Sequence, residues 1–223
     1  MMNKAQTGST TAARRRRPRQ LALRLPTWGG KRQGAGRPRQ KPRACVPHRA
    51  RPEFARRTPA HVTLRVGARL AILRGPRAYR AVETALWQGA RRFDTALVQF
   101  SVQRDHVHLL VEAPEKRALM RAVKGLSVRI ARALNRSCGR RGQVIDDRYH
   151  ARLLRTPTEV RRAIHYIADN GRKHLTTEGR EVDWGWRDPC SSESPRAPKL
   201  PAARTWIVRV GWRRGAPGAA RGP

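Results

Sequence analysis

The sequence predicts an α+β fold: an antiparallel sheet in the ferredoxin-like, split βαβ order, with two helices on one face and a tyrosine-bearing helix on the other. Two observations predict it. Apolar and polar residues alternate in four short segments, as in half-buried strands, and apolar residues recur every three or four positions in three longer segments, as in amphipathic helices. In chain order the segments read β-α-β-β-α-β-α, the split βαβ layout with one additional helix.

The first four elements lie between residues 60 and 113. The segment "AHVTLRV" (60–66) alternates as a strand, and "GPRAYRAVETALWQGARRF" begins with Gly-Pro and continues at helical spacing. Its apolar side consists of Tyr79, Val82, Leu86 and Ala90. The segments "TALVQFSVQ" and "HVHLLVEA" are separated only by Arg104 and Asp105, which predicts a β-hairpin.

The remaining elements follow residue 114. The segment "EKRALMRAVKGLSVRIARALN" has one apolar side, as in a second helix, and "ARLLR" (151–155) is a short fourth strand. In "TPTEVRRAIHYIADNGRKH", Thr156 is the expected N-cap, Pro157 the first helical residue and Glu159 the acid of a capping box. Near the C-terminus, "DWGWRDPCSS" is predicted as loop, and the alternation in "RTWIVRVGW" predicts one more strand.

The charge of the chain indicates a polyanionic partner. Its 223 residues contain 50 Lys and Arg against 15 acids, a formal net charge of +35. Charge of this size opposes compaction, and nucleic acid is the leading partner that would neutralise it. A ribosomal or histone-like protein is the alternative for a chain this basic. We divide the chain into a disordered basic arm (1–57), a folded catalytic domain (58–174) and a basic, Trp-containing extension (175–223).

The basic arm contains a segment that resembles a DNA-binding motif. Residues 1–57 carry seventeen Lys or Arg and one acid, Glu53, on Pro- and Gly-rich sequence, which predicts disorder without a partner. Within it, "GGKRQGAGRPRQKPR" resembles an AT-hook, in which Arg37 and Arg39 would enter a narrow minor groove. The alternative is a generic basic tail that binds any phosphate backbone.

Cysteine spacing and hydropathy bear on the compartment. The three cysteines are far apart, with no C-x-x-C pair, so the sequence suggests neither a disulfide framework nor a zinc knuckle. No apolar run approaches the ~18 residues of a membrane span. We therefore expect a reduced cytoplasmic protein, associated with the bacterial nucleoid and not with a membrane.

Two histidines interrupt the apolar pattern of the predicted hairpin. Strand alternation places His106 and His108 on one face of the sheet, about 6.6 Å apart along the strand, and Val107, Leu109 and Val111 on the other face, under the first two helices. The third helix is expected to cover the histidine face, which would bring Tyr166, Asn170 and Lys173 near the imidazoles. Two imidazole nitrogens and an amide oxygen can coordinate a divalent ion that binds a phosphate oxygen. The tyrosine beside this ion would then be the nucleophile. The alternative is a polar strand face covered by a helix, with ordinary hydrogen bonds.

These segments resemble a known family. "HVHLLVE" is similar to the His-hydrophobe-His motif of the HUH endonucleases, and "YIADN" is similar to the Tyr-x-x-x-polar helix of their single-tyrosine transposases. "GQVIDDRYHARLLRTPTEVRRAIHYIADNGRKH" and "RTWIVRVGW" resemble the REP-associated tyrosine transposases, relatives of the small insertion sequences of the IS-two-hundred class. The resemblance covers residues 58 to about 213.

The resemblance implies a chemistry and a set of site residues. It implies metal ligands at His106 and His108, a nucleophile at Tyr166, and a third ligand at Asn170, where related transposases often carry Gln. It implies cleavage of single-stranded DNA beside short hairpins through a 5′-phosphotyrosine, with Mg²⁺ as cofactor, Mn²⁺ as a substitute and no nucleotide cofactor. A monomer is favoured, although related transposases exchange the tyrosine helix within a dimer.

Other residues have open assignments. Arg148 and Lys173 are predicted DNA contacts. Asp105 either orients an imidazole or only forms the turn. Tyr149 is the competing nucleophile, and His150 is expected to be structural or DNA-contacting.

Three other functions share some of these features. A domesticated DNA-binding protein would keep the fold without cleavage. An RNA-binding ferredoxin-like module would need aromatic residues on its central strands, which offer only Phe100. A replication initiator or relaxase commonly carries a second helical tyrosine or further domains.

Overall fold

In the computed structural model, which describes residues 50–67, 72–183 and 185–214, four strands form one antiparallel sheet. The strands are β1 (Thr58–Arg65), β2 (Ala96–Val102), β3 (His106–Ala113) and β4 (His150–Leu153). Their spatial order is β2-β3-β1-β4, with every neighbouring pair antiparallel. This order confirms the predicted ferredoxin-like, split βαβ fold.

Three long helices and one short helix accompany the sheet. They are α1 (Pro76–Gly89), α2 (Lys116–Ser137), α3 (Pro157–Thr177) and α4 (Trp206–Arg209). Single 3₁₀ turns occur at Arg92–Asp94 and Gly211–Arg213. Within the described ranges, no helix is long and apolar enough to span a membrane.

Helices α1 and α2 cover one face of the sheet and form the main core. From β3 this core takes Val107, Leu109 and Val111, each at most 1% exposed, as the alternation predicted. The two helices approach closely at Gly89, where an added Cβ would lie only 2.4 Å from Leu126 Cδ2.

Helix α3 covers the opposite face through a smaller core. Its Val160, Ala163 and Ile167 pack with Leu110 of β3, the residue that follows the histidines on their side of the strand. The helix begins with the predicted capping box, in which the Thr156 hydroxyl accepts from the Glu159 amide and the Glu159 carboxylate accepts from the Thr156 amide.

The prediction of a strand in "RTWIVRVGW" is wrong, because this segment forms α4 and a 3₁₀ turn. The buried Glu112 carboxylate of β3 accepts hydrogen bonds from the Arg204 and Thr205 amides, which anchors the segment on the α3 face of the sheet and not at an edge. Trp206 and Val210, two apolar residues of this segment, are 52% and 38% exposed.

The free edge of β2 is instead partly covered by the segment that was predicted as loop. The Val102 amide donates to the Cys190 carbonyl at 2.8 Å, and the Ser192 amide donates to the Phe100 carbonyl at 3.0 Å. Sequence alternation could not indicate this, because only a few residues of the segment take part. The edge of the sheet is thus protected along part of its length.

The two AT-hook residues, Arg37 and Arg39, lie outside the described residues. The same holds for most of the predicted basic arm, of which only residues 50–57 are described.

Candidate active site

The two histidines of β3 converge on one point of the α3 face. The Nε2 atoms of His106 and His108 are 3.0 Å apart. The His108 side chain is buried, whereas that of His106 is 15% exposed. The pair therefore lies at the border between the second core and solvent.

Neighbouring side chains hold the other nitrogen of each imidazole. Asp105 Oδ1 lies 2.6 Å from His106 Nδ1, so this residue both forms the turn and orients the ring. On the other ring, His108 Nδ1 lies 3.1 Å from His61 Nε2 and 3.2 Å from Thr63 Oγ1. Contacts of this kind fix a ring and its tautomer while its second nitrogen faces a ligand.

Burial keeps two of these imidazoles neutral. It lowers the pKa of His108 to about 3, with further lowering by the positive charge of His106. It lowers the pKa of His61 to about 4, with a smaller contribution from His150. Both rings are therefore uncharged at neutral pH, which is the form that binds metal ions.

Helix α3 brings Tyr166 to the histidines. The centroid of the Tyr166 ring lies 5.1 Å from that of His108 and 5.6 Å from that of His61. The tyrosine is 41% exposed, so a large substrate can reach it. Lys173 Nζ lies 5.4 Å from the ring centroid, which places a positive charge beside the phenol.

Asn170 lies one turn of α3 beyond Tyr166 and is 5% exposed. Its Nδ2 has no hydrogen-bond partner among the described residues. Buried amides are nearly always bonded, so this nitrogen is available to a hydrogen-bond acceptor that lies outside the described residues. One turn further, the ring centroid of His174 lies 6.4 Å from that of His106.

The competing tyrosine occupies the other side of the sheet. Tyr149 packs against the core formed with α1 and α2, and its hydroxyl is buried without a partner in the described part of the chain. Burial raises the pKa of this phenol. Arg148 precedes it and is half-buried, with its amide bonded to Asp147, while His150 is exposed at the start of β4.

Sequence reasoning missed His61, Thr63 and His174. The sequence contained the signal for the first two, because alternation in "AHVTLRV" places His61 and Thr63 on one face of the strand and the apolar Ala60 and Val62 on the other. Antiparallel pairing then sets Thr63 directly across from His108. His174 could have been found from its spacing of four residues from Asn170.

The donor set fits a divalent ion held by His106 and His108. Imidazole nitrogens bind metals at ~2.0–2.1 Å, so two of them at right angles around one ion lie about 3 Å apart, which is the separation of this pair. The Asn170 amide oxygen is the atom that could join them, whereas the nitrogen, which has no partner among the described residues, is a donor and not a metal ligand. In those residues there is no metal-binding group of three or more His, Cys, Asp or Glu.

Comparison with known proteins gives the family. The profile of the family described as "Transposase IS200 like" matches residues 55–170, more than half of the chain and every element from β1 to the middle of α3. The chain therefore belongs to the IS200-like transposases, a family of DNA-processing proteins. No curated protein sequence matches it.

Two solved structures are similar to the chain at a distance. One is a REP-associated tyrosine transposase bound to a REP hairpin, with 17% identity, a TM-score of 0.48 and coverage of 58% of this chain and 74% of that chain. The other is a candidate transposase from Deinococcus radiodurans R1, with 17% identity, a TM-score of 0.39 and coverage of 58% and 95%.

Proposed function

We propose that this protein is a single-strand DNA transposase and endonuclease that cleaves and rejoins DNA beside hairpin repeats, with Tyr166 as its nucleophile. One observation carries the proposal: a half-exposed tyrosine lies with its ring centroid 5.1 Å from a histidine whose Nε2 faces that of a second histidine. Membership of a transposase family makes DNA the expected substrate.

The cleavage step exchanges one phosphodiester for another. The Tyr166 oxygen attacks the scissile phosphorus, a tyrosine–phosphorus bond forms, and the bond from phosphorus to the 3′ oxygen breaks. The phenolic proton leaves to solvent and the departing 3′ oxygen takes up a proton, which leaves a 5′-phosphotyrosine and a 3′-OH. Attack of a 3′-OH on the phosphotyrosine reverses these changes and rejoins strands, so no nucleotide cofactor is consumed.

The chain's own residues orient the reacting groups. Helix α3 fixes Tyr166 against the sheet, and Lys173 adds positive charge that attracts the phosphate. Asp105 and His61 hold the outer nitrogens of the two imidazoles. These contacts reduce the reorganisation that the site needs when substrate binds.

His106 and His108, with Asn170 as a third ligand, would hold a divalent ion. Mg²⁺ is the proposed cofactor and Mn²⁺ a substitute that nitrogen ligands suit better. When bound, the ion supplies Lewis-acid polarisation of the scissile phosphate.

We also propose a branch of the family, a DNA substrate and an oligomeric state. We assign the protein to the REP-associated branch, acting as a monomer on imperfect hairpins, because the motifs around Tyr166 resemble that branch. Arg148 and Lys173 are proposed contacts to the DNA backbone, and the basic arm would add affinity.

The test is formation of a covalent adduct. Single strands that carry the hairpins found around the protein's own gene are incubated with the full chain and Mg²⁺, and the products are separated under denaturing conditions. A protein–DNA adduct with a free 3′-OH on the released strand supports the proposal. Tight hairpin binding without any adduct would instead show a domesticated, non-cleaving DNA-binding protein.

A further inference from the structure

An open cavity of about 490 Å³ lies beside the N-terminal end of α3. Three segments form its walls: residues 53–59 before and within β1, Leu154 and Arg155 between β4 and α3, and residues 205–207 at the start of α4. Its volume is within the range of small-ligand sites. None of the residues in the candidate active site lines it.

The lining combines an aromatic ring with exposed positive charge. Trp206 lines the cavity and is 52% exposed. Arg56 and Arg155 line it with exposed side chains, and neither forms an ion pair with the described acids. An exposed indole beside unpaired guanidinium groups is typical of sites that bind single-stranded nucleic acid, where bases stack and phosphates are neutralised.

Ion pairs fix the walls of the cavity to the rest of the fold. Asp94 accepts at 2.5 Å from Arg57, which lines the cavity, and at 2.5 Å from Arg204, which precedes α4. Asp94 and its neighbour Phe93 both have positive φ, of 54° and 58°. L-residues adopt this backbone only when the surroundings hold it. The two ion pairs of Asp94 are therefore a defined part of the structure.

The indole of Trp206 is held from outside the cavity. A Cβ on Gly211 would lie 2.7 Å from Trp206 Cζ3, so the backbone of the 3₁₀ turn touches the ring. Gly211 does not line the cavity. The backbone at Gly211 therefore packs on the ring, the Arg214 guanidinium lies over it with Cζ 5.7 Å from the ring centroid, and the half-exposed ring lines the cavity.

The cavity and Tyr166 lie on the same face of the sheet. Glu112, whose carboxylate holds the start of α4, follows His108 by four residues on the same side of β3. Four residues of a strand span about 13 Å. The second core around Leu110 lies between the two sites, so a single strand that reaches both passes around this core.

We propose that this cavity binds one unpaired nucleotide of the DNA substrate, with its base against Trp206 and its phosphate beside Arg56 and Arg155. The proposal rests on the proposed function for the identity of the substrate as DNA. A paired base is excluded, because its faces are covered within the duplex stack. The cavity thus recognises the single-stranded segment that accompanies a hairpin.

Binding of a defined probe tests the proposal. The full chain with Tyr166→Phe is titrated with a labelled oligothymidylate of about ten nucleotides and with an abasic oligomer of equal length. Trp206→Ala is expected to weaken thymidylate binding by about 10-fold or more, and Trp206→Phe to retain most of it. Binding of the abasic oligomer should change little, because the lost contact is to the base.

Two matched controls make the result specific. Trp87, which is 53% exposed on α1, lies outside this cavity, so Trp87→Ala should leave thymidylate binding unchanged. Arg155→Gln should weaken the binding of both oligomers and reduce the slope of its salt dependence by about one. Arg132→Gln on α2 should have a smaller effect on both quantities. If Trp206→Ala fails to fold, the Arg155 and Trp206→Phe results decide.

Unchanged thymidylate binding by folded Trp206→Ala, or an equal loss from Trp87→Ala, overturns the proposal. The outcome is independent of the proposed cleavage, because the Tyr166→Phe background measures binding alone. A wild-type protein that never forms an adduct would contradict the proposed function and leave this measurement intact.

Discussion

The carboxylate of Asp188 occupies the space that a side chain on Gly171 would need. A Cβ built on Gly171, within α3, would lie 2.1 Å from Asp188 Oδ2. Asp188 is 1% exposed and is held by Arg74 through bonds of 2.7 and 2.9 Å and by the Cys190 amide at 2.9 Å. The glycine therefore allows the C-terminal segment to lock against the helix that carries Tyr166.

Gly171→Ala is expected to destabilise the protein by about 1–3 kcal/mol, because the methyl group must displace a buried, ion-paired carboxylate. This loss exceeds the gain of up to ~1 kcal/mol that alanine brings to a helix. Urea denaturation followed by circular dichroism measures the difference.

Gly125→Ala in α2 is the matched control. A Cβ there would meet Phe93 Cε2 at 3.6 Å, an ordinary contact, so this variant should be unchanged or more stable by up to about 1 kcal/mol. Equal stability of the two variants would show that Asp188 moves aside at no cost.

Short sequence patterns correctly predicted the elements whose structure depends on residues that are close together in sequence. Alternation in β3 separated Val107, Leu109 and Val111 from the histidines, and the capping box marked the start of α3, because both depend on neighbours in sequence. The Gly171–Asp188 contact joins residues seventeen positions apart, through a loop whose path no short pattern encodes.

The errors have the same origin. "RTWIVRVGW" has the alternation of a strand, yet it forms a short helix, and Glu112, about ninety residues earlier in the chain, accepts from the backbone amides that precede this helix. His61 was missed because its role depends on the register between β1 and β3. The pair of Nε2 atoms and the tyrosine were predictable, since one strand and one amphipathic helix place them.

Tyr166→Phe is expected to abolish the covalent DNA adduct and to lower cleavage by about 10³-fold or more, because it removes the attacking oxygen. Binding should remain nearly intact, since one hydroxyl is lost from a half-exposed ring. Denaturing gels for the adduct and anisotropy for binding give the two quantities. Tyr149→Phe, on the other side of the sheet, is the control and should still form adducts; the reverse pattern would assign the nucleophile to Tyr149.

His106→Ala and His108→Ala are each expected to remove cleavage and to weaken Mn²⁺ binding measured by calorimetry, because each deletes a nitrogen of the converging pair. EDTA should abolish wild-type cleavage. Asn170→Ala should weaken activity in a way that added Mn²⁺ partly restores.

His165→Ala is the control for the metal prediction, because that ring lies 6.1 Å from the ring of Trp212 and takes no part in the pair. It should bind Mn²⁺ as the wild type does. Full cleavage in EDTA would exclude the metal-dependent reaction for this protein.

The basic arm is expected to add affinity without choosing the cleavage position, because exposed arginines bind backbone charge and, at most, minor-groove shape. If the arm neutralises about six phosphates of duplex DNA, affinity should fall roughly a thousandfold between about 50 and 200 mM salt.

Contacts of the last residues of the arm decide where the chain should be truncated. Arg51 donates to the Tyr149 carbonyl, Glu53 pairs with Lys116 and Arg57 pairs with Asp94. Removal of all of residues 1–57 would therefore also disturb the fold. A chain that begins at residue 50 removes residues 1–49 of the arm and keeps these three contacts. It should show a flatter salt slope on duplex DNA and the same cleavage map on a hairpin substrate as the full chain. A shifted cleavage site would show that the arm takes part in sequence recognition, with Arg37 and Arg39 the first residues to substitute.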